Sequence, residues 1–172
     1  MQFYLETERL ILRDLLPTDV EGIFQLDSSP EVHKYLGKKP ITTKLQAKNV
    51  IKFIRTQYKV LGIGRFATIE KSSGDFIGWS GLKLNAGKKE ALNGKQNFYD
   101  IGYRIIPHYW NKGYATESSL AILDFGFKKL NIKTICGAAE VENLASNKIL
   151  QKIGLHFINE FFYDNKLTNC MN

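Results

Sequence analysis

The residues with the most chemical potential lie in one stretch, Asp100 to Glu117, which reads DIGYRIIPHYWNKGYATE. A strand-like run ends at Pro107. A turn follows, Trp110-Asn111-Lys112-Gly113-Tyr114-Ala115, and then a helical pattern. The first turn of a helix leaves four backbone N–H groups without intrahelical partners, and the helix dipole adds partial positive charge there. A phosphate group satisfies both. Gly113 and Ala115 carry little or no side chain, so a pyrophosphate can approach the backbone closely. Lys112 adds a cation. The spacing is neither G-x-x-x-x-G-K-[ST] nor G-x-G-x-x-G, so a Walker A loop and a Rossmann fingerprint are both absent. Gly113 also has a simpler use, as the hinge of a tight strand-to-helix turn, and this stretch alone leaves both uses open.

A second stretch, NLASNKILQKIGL at residues 143–155, is a polar helix start followed by an amphipathic turn. The pair PHYWNKGYATES and NLASNKILQKIGL resembles the GNAT superfamily of acyl-CoA-dependent N-acetyltransferases. The N-terminal TERLILRDL resembles the opening strand of its RimJ/RimL-like branch, the ribosomal-protein N-terminal acetyltransferases and their relatives. The resemblance spans about residues 5–163, with three separated segments in the right order. Of the family's pyrophosphate pattern, Gln/Arg-x-x-Gly-x-Gly/Ala, Gly113 and Ala115 match, while Trp110 stands at the Gln/Arg position.

The resemblance implies a cosubstrate, acetyl-CoA, and no metal. Backbone N–H groups of Asn111, Lys112, Gly113, Tyr114, Ala115 and Thr116 would hold its pyrophosphate. The strand carrying Tyr103, Ile105 and Ile106 would pair with the pantetheine arm, as an extra strand pairs with a sheet edge. Pro107 would mark where that strand leaves its neighbour around residues 134–139. Asn143 would end the neighbour, and Ser146 and Asn147 would face the thioester. An alkyl amine is largely protonated near neutral pH, so a base must take a proton from it. The family often uses a carboxylate on the strand before the phosphate turn, and Asp100 stands there. Alternation puts it on one face with Gly102 and Arg104, so Asp100 is a base or a carboxylate paired with Arg104 or a lysine. Glu142 is a weaker candidate. A backbone N–H on the 103–106 strand would meet the oxygen that gains negative charge. The family's usual acid, a Tyr four residues before Gly154, is Leu150 here. The branch assigns a Ser near the thioester to that role, which Ser146 matches; the same Ser also reads as a helix cap. Tyr114 and Tyr163 are further hydroxyls without an assigned place.

These residues need elements to hold them. Residues 8–14 alternate as a strand. Thr18 and Glu21 have capping-box spacing ahead of a stripe of Val20, Ile23, Phe24 and Leu26. Ser29-Pro30 reads as a short helix start running to about Gly37. Thr43 and Gln46 repeat the box before a longer helix to about Lys59, with Leu45, Val50, Phe53, Ile54 and Tyr58 as its apolar face. Residues 65–70, 76–82 and 98–106 read as strands, the first two a hairpin through Ser72–Asp75. Residues 83–97 read as a polar connection. A helix at 114–130, a strand at 132–140, a helix at 144–153 stopped by Gly154 and a strand at 155–163 complete the run. This predicts an α/β (α+β) fold: a mixed, mostly antiparallel twisted sheet of six to seven strands flanked by about four helices. Relatives continue with an apolar closing strand. Here DNKLTNCMN is short and polar, so either a dimer partner closes the sheet or the acceptor site stays open.

The 172 residues fit one N-acetyltransferase domain, 1–172. With 44% hydrophobic and 24% charged residues, disorder is excluded as the main state, and no apolar run approaches the ~20 residues that span a bilayer. The N-terminus lacks a signal-peptide pattern, which points to the cytoplasm. Two cysteines and three scattered histidines form no disulfide framework or metal spacing. A net charge of +7 attracts anions. The expected activity is acetyl transfer from acetyl-CoA to a primary amine, on a protein N-terminus or a small molecule. The competing classes are a catalytically silent CoA-binding regulator, favoured by Leu150, and a basic nucleic-acid binder, favoured only by charge.

Overall fold

Alternating apolar and polar residues become strands of one open sheet in the computed structural model, which describes residues 3–88 and 91–172. The strands are β1 (Tyr4–Glu6), β2 (Leu10–Arg13), β3 (Arg65–Glu70), β4 (Phe76–Asn85), β5 (Phe98–Ile105), β6 (Ile135–Glu140), β7 (Phe157–Tyr163) and β8 (Lys166–Met171). Their order is β1-β2-β3-β4-β5-β6-β8-β7. Every neighbouring pair is antiparallel except β5 and β6. The four α-helices among the described residues are α1 (Val20–Asp27), α2 (Lys44–Leu61), α3 (Tyr114–Lys128) and α4 (Leu144–Lys152). The mixed, mostly antiparallel sheet with four helices agrees with the sequence. The strand count is eight rather than six or seven, because β1 folds back on β2 and the polar tail forms β8.

The two faces of the sheet carry separate cores. Ile122 and Leu123 of α3 and Leu150 of α4 pack with Leu12, Phe66, Leu82 and Ile101 on one face. Ile23 of α1 and Ala47, Ile51 and Ile54 of α2 pack with Ala67 and Ile69 on the other. Residues two apart on a strand thus reach different helices from those reached by their neighbours.

Local signals were uneven. The capping box of α2 forms as read: Thr43 Oγ1 accepts from Gln46 N at 3.3 Å, and Gln46 Oε1 accepts from Thr43 N at 3.0 Å. The Thr18/Glu21 box does not form. Residues Pro17–Asp19 make a 3₁₀ turn instead, which moves the helix start to Val20. Asp19 ties that turn, accepting from Leu16 N at 2.7 Å. Glu21 pairs with Lys44 at 2.6 Å. The short helix expected after Pro30 is a 3₁₀ turn, Val32–Tyr35. Leu45 and Phe53 lie exposed on α2 rather than on its core face. In α3 the buried face is built of small residues, Ser118, Ser119 and Gly126, around Ile122 and Leu123, while Leu120 and Phe127 turn outward.

The tail forms a strand because Asp164 and Asn165 both take positive φ, 48° and 59°. Two such residues make the tight turn that suits a twisted hairpin. Strand β8 then runs between β6 and β7, pairing with both, and buries Thr168, Cys170 and Met171. The exposed edge is therefore β7, with Phe157, Phe162 and Tyr163 at its surface.

Helix α3 lies close to the sheet because position 126 has no side chain. A Cβ there would stand 2.8 Å from Leu82 Cδ1 and 2.9 Å from Ile135 Cδ1. Gly126→Val is expected to lift α3 and lower stability by roughly 1–3 kcal/mol. Thermal denaturation checks this, as a fall of about 2–4 °C per kcal/mol for a chain of this size.

Candidate active site

Strand β5 is joined to β6 through Tyr99 with Ile135 and Asp100 with Cys136. Beyond that point β5 continues against β4 alone, to Gly78 opposite Ile105. The separation therefore begins after Asp100, not at Pro107 as the sequence suggested. The crossover from β5 to β6 runs through α3.

Along the open edge, backbone groups alternate in direction. Ile106 N donates to Ile77 O at 2.8 Å, toward β4, and Ile106 O accepts from Tyr109 N at 2.9 Å. The Ile106 N–H is thus spent on β4 and is not offered to a ligand, contrary to the sequence expectation. Alternation turns the N–H groups of Tyr103 and Ile105 toward the gap. The Ile105 carbonyl is taken by Trp110 Nε1 at 2.6 Å. Trp110, the departure from the usual phosphate-loop pattern, thereby ties the loop to the end of β5.

The loop itself winds through positive φ at Asn111, 61°, and Gly113, 85°. Trp110 N donates to Pro107 O, and the next backbone donor with an acceptor in the chain is Glu117, to Gly113 O. The N–H groups of residues 111–116, all six expected from the sequence to hold the pyrophosphate, thus have no acceptor among the described residues and are free at the start of α3. Asn111, Lys112 and Gly113 are exposed. Such a cluster of free donors at the positive end of a helix is a nest for an anion.

Side-chain contacts brace the loop, first from the turn between β1 and β2. Arg9 Nη1 donates to Lys112 O at 2.9 Å and Arg9 Nε to Glu117 Oε2 at 2.7 Å, while Thr7 Oγ1 donates to Glu117 Oε1 at 2.6 Å. The Tyr114 hydroxyl donates to Glu70. The Tyr109 hydroxyl donates to Asp75 Oδ2 at 2.9 Å. Sequence reading placed Arg9 and Thr7 in a strand and missed this clamp, since nothing in their spacing points 108 residues ahead to Glu117. Burial alone would raise the Glu117 carboxyl, but the Thr7 and Arg9 hydrogen bonds and the Arg9 charge outweigh it and hold its pKa below the usual value.

At the other end of the gap, Asn143 caps α4, its side chain accepting from Ser146 N at 3.1 Å. Asn147 is buried, and its amide donates to Glu140 O and Asn143 O, both at 2.9 Å, while its carbonyl accepts from Asn169 of β8 at 2.9 Å. Asn147 therefore braces the β6–α4 turn. Ser146 is partly exposed, and its Oγ lies 2.8 Å from the Tyr103 hydroxyl. Burial pushes the Tyr103 phenol up to about 12. Leu150 is 2% exposed, packed over Gly137 beside Leu155. Tyr163 stands at the β7 edge.

Asp100 lies on the α1/α2 face. Its Oδ2 accepts from Arg65 Nη2 at 2.7 Å, and its Oδ1 accepts from Asn85 Nδ2 at 2.6 Å. Arg65 lies across Gly102, whose absent Cβ would stand 2.8 Å from the guanidinium carbon. Arg104 shares the face, as alternation requires, but pairs with buried Asp27 at 2.6 Å rather than with Asp100. Arg65 and Arg104 both stack near Trp79, 5.5 and 5.1 Å from its ring centre. Each carboxylate oxygen offers about two acceptor directions, so Asp100 keeps one on each oxygen.

The profile of the acetyltransferase (GNAT) domain matches residues 9–156. The chain is 31% identical over 164 residues to an uncharacterized N-acetyltransferase, YoaA, of Bacillus subtilis (strain 168), covering 94% of this chain and 89% of the relative. It is 34% identical over 149 residues to an uncharacterized N-acetyltransferase, p20, of Bacillus licheniformis, covering 87% and 80%. Its fold is similar to a GNAT-family acetyltransferase structure from Bacillus anthracis, with a TM-score of 0.80 and 24% identity over 98% of this chain and 96% of that one.

Glu117→Gln keeps the shape of the clamp and removes its charge. It is expected to cost roughly 1–2 kcal/mol at neutral pH. Because the folded pKa of Glu117 is lowered, its contribution is present above the unfolded value and is lost as pH falls through the folded one. Thermal midpoints of the two proteins should therefore differ at pH 7 and converge below about pH 4.

Proposed function

The chain belongs to the GNAT acetyltransferase family and is an N-acetyltransferase, and from that premise we propose that it moves the acetyl group of acetyl-CoA to a primary amine by direct attack. The observation that carries this reading is the run of six free N–H groups at residues 111–116, beside a strand edge that opens after Asp100. When bound, acetyl-CoA supplies an activated acyl group on a thioester.

In this reading the chain's residues divide the work. Asn111 through Thr116 hold the pyrophosphate, with Lys112 adding charge. Tyr103 and Ile105 offer N–H groups to the pantetheine amides, and one of them meets the developing negative charge on the thioester oxygen. Asp100 is the base, taking a proton from the amine directly or through a water at its free acceptor positions. Ser146 faces the leaving sulfur. Asn143 and Asn147 hold the turn that presents Ser146.

The acceptor is a protein N-terminus or a small-molecule amine. Asp27 and Asp100, on the face where the amine arrives, are each taken by an arginine. Asp27 is buried and Asp100 serves the reacting amine, so neither holds a second ammonium, which favours a single amine over a polyamine. A second reading, a CoA-binding regulator without turnover, draws on Leu150, whose buried place holds no hydroxyl.

Calorimetry with acetyl-CoA tests the site before any acceptor is known. Saturable binding is expected, and its absence would sink the cofactor assignment. Gly113→Ala forces a side chain into φ 85°, with a Cβ 3.3 Å from Arg9 Nη2. A strain of about 1–2 kcal/mol there should weaken acetyl-CoA binding by roughly tenfold.

Thiol release against a panel of amines and N-terminal peptides then separates the transferase from the silent regulator. On an active acceptor, Asp100→Asn is expected to lower kcat by about 10²–10⁴ while acetyl-CoA affinity holds. An unchanged kcat would remove Asp100 from the base role.

A further inference from the structure

The loss of the usual tyrosine at position 150 leaves a question about the leaving sulfur. Leu150 cannot be restored to that role by a small shift, since it fills the space over Gly137, only 2.7 Å from where a Cβ there would stand. A phenol reaches the same gap from the opposite strand. Tyr103 pairs with Ser80 on the β4 side of β5, and its ring runs beneath the opening to α4. There its hydroxyl lies 2.8 Å from Ser146 Oγ and 3.1 Å from the Ser146 carbonyl oxygen, so its single hydrogen serves one or the other.

We propose that Tyr103 is a positioning residue that turns the Ser146 hydroxyl toward the sulfur of bound coenzyme A. This rests on the acetyl-CoA reading above. Among the described residues Ser146 Oγ has one partner, Tyr103. A serine in the first turn of a helix ordinarily bonds back to nearby carbonyls. Here those acceptors are engaged. Asn143 O accepts from both Asn147 N and Asn147 Nδ2, and Glu142 O accepts from Leu144 N. The local competitors are thus occupied, and the phenol decides where the serine proton points. When the phenol donates to Oγ, the serine O–H is released to donate outward, into the gap. Burial keeps the phenol protonated, so it remains a donor throughout the working range.

The chemistry balances without a proton leaving Tyr103. The N–C bond forms, the C–S bond breaks, and its electron pair stays on sulfur. The amine proton leaves through the base and water. The thiolate accepts the Ser146 hydrogen bond and then a proton from water.

The test uses coenzyme A itself and needs no acceptor. The thiol of protein-bound coenzyme A is titrated by thiolate absorbance, with the desulfo-coenzyme A complex as the blank. In the wild type the bound thiol should ionise roughly one unit below the ordinary ~8.5 of a free thiol. Tyr103→Phe and Ser146→Ala should each abolish that lowering. The double variant should go no further, because the two hydroxyls act as one donor. Ser146→Thr, which keeps a hydroxyl, should retain the wild-type value. Coenzyme A affinity by calorimetry should stay within about twofold in Tyr103→Phe, which shows that its fold and site persist. A Tyr103→Phe protein with wild-type thiol ionisation, or losses that add in the double variant, would overturn the proposal and leave the acetyl-CoA reading intact. Failure of the wild type to bind coenzyme A would remove that reading and the proposal with it.

Discussion

Two residue pairs, Tyr99 with Ile135 and Asp100 with Cys136, join the halves of this sheet, and the candidate site lies just beyond the second of them. A parallel neighbour needs a long crossover, and here the crossover is α3. The same helix therefore fixes how β6 departs from β5 and where six free N–H groups are presented. Had β5 and β6 paired along their full length, Tyr103 and Ile105 would have spent their backbone groups on the sheet. The opening and the anion nest are consequences of one connection, so a change that lifts α3 moves both.

This coupling explains the density of contacts around the loop. Free backbone donors do not hold a shape by themselves. The shape comes from outside: Arg9 and Thr7 grip Glu117, Trp110 grips the Ile105 carbonyl, and Tyr114 and Tyr109 grip the β3–β4 hairpin at Glu70 and Asp75. Side chains from both edges of the loop thus leave its N–H groups unspent. Arg9 carries much of the burden, since it also lies 4.5 Å from the Tyr114 ring centre. A lysine there would supply charge without the fork that reaches both Glu117 and the Lys112 carbonyl.

The sequence revealed the features that local rules govern. The box at Thr43 and Gln46, the hairpin at Ser72–Asp75 and the tight turn at Gly113 all depend on residues close in the chain. Its failures are equally physical. Thr18 and Glu21 had the right spacing for a box, but Asp19, held by Arg13, took the turn first. Asp100 was correctly placed on the face of Arg104, yet alternation cannot choose among partners from other strands, and Arg65 reached it across Gly102. The tail reads as short and polar, yet it forms a strand. Its signal was Asp164-Asn165, a tight-turn pair, and a strand buried between two others needs only its alternate residues apolar or small. The part that resemblance supplied, which residues would meet the cosubstrate, came from motif order and not from any single spacing.

The departures from the family pattern are connected with one another. Trp110 in place of a polar residue does not leave the loop loose, because an indole N–H reaches the carbonyl of Ile105. That bond removes one acceptor from the open edge and leaves the donors. Leu150 in place of a tyrosine is likewise compensated in packing, as it completes the core under β6 with Leu155. The chain keeps a phenol near the gap by carrying it on β5 instead, where the ring packs on the core and the hydroxyl meets Ser146. Under the proposal the serine is oriented from β5, the same strand whose edge the cosubstrate would extend.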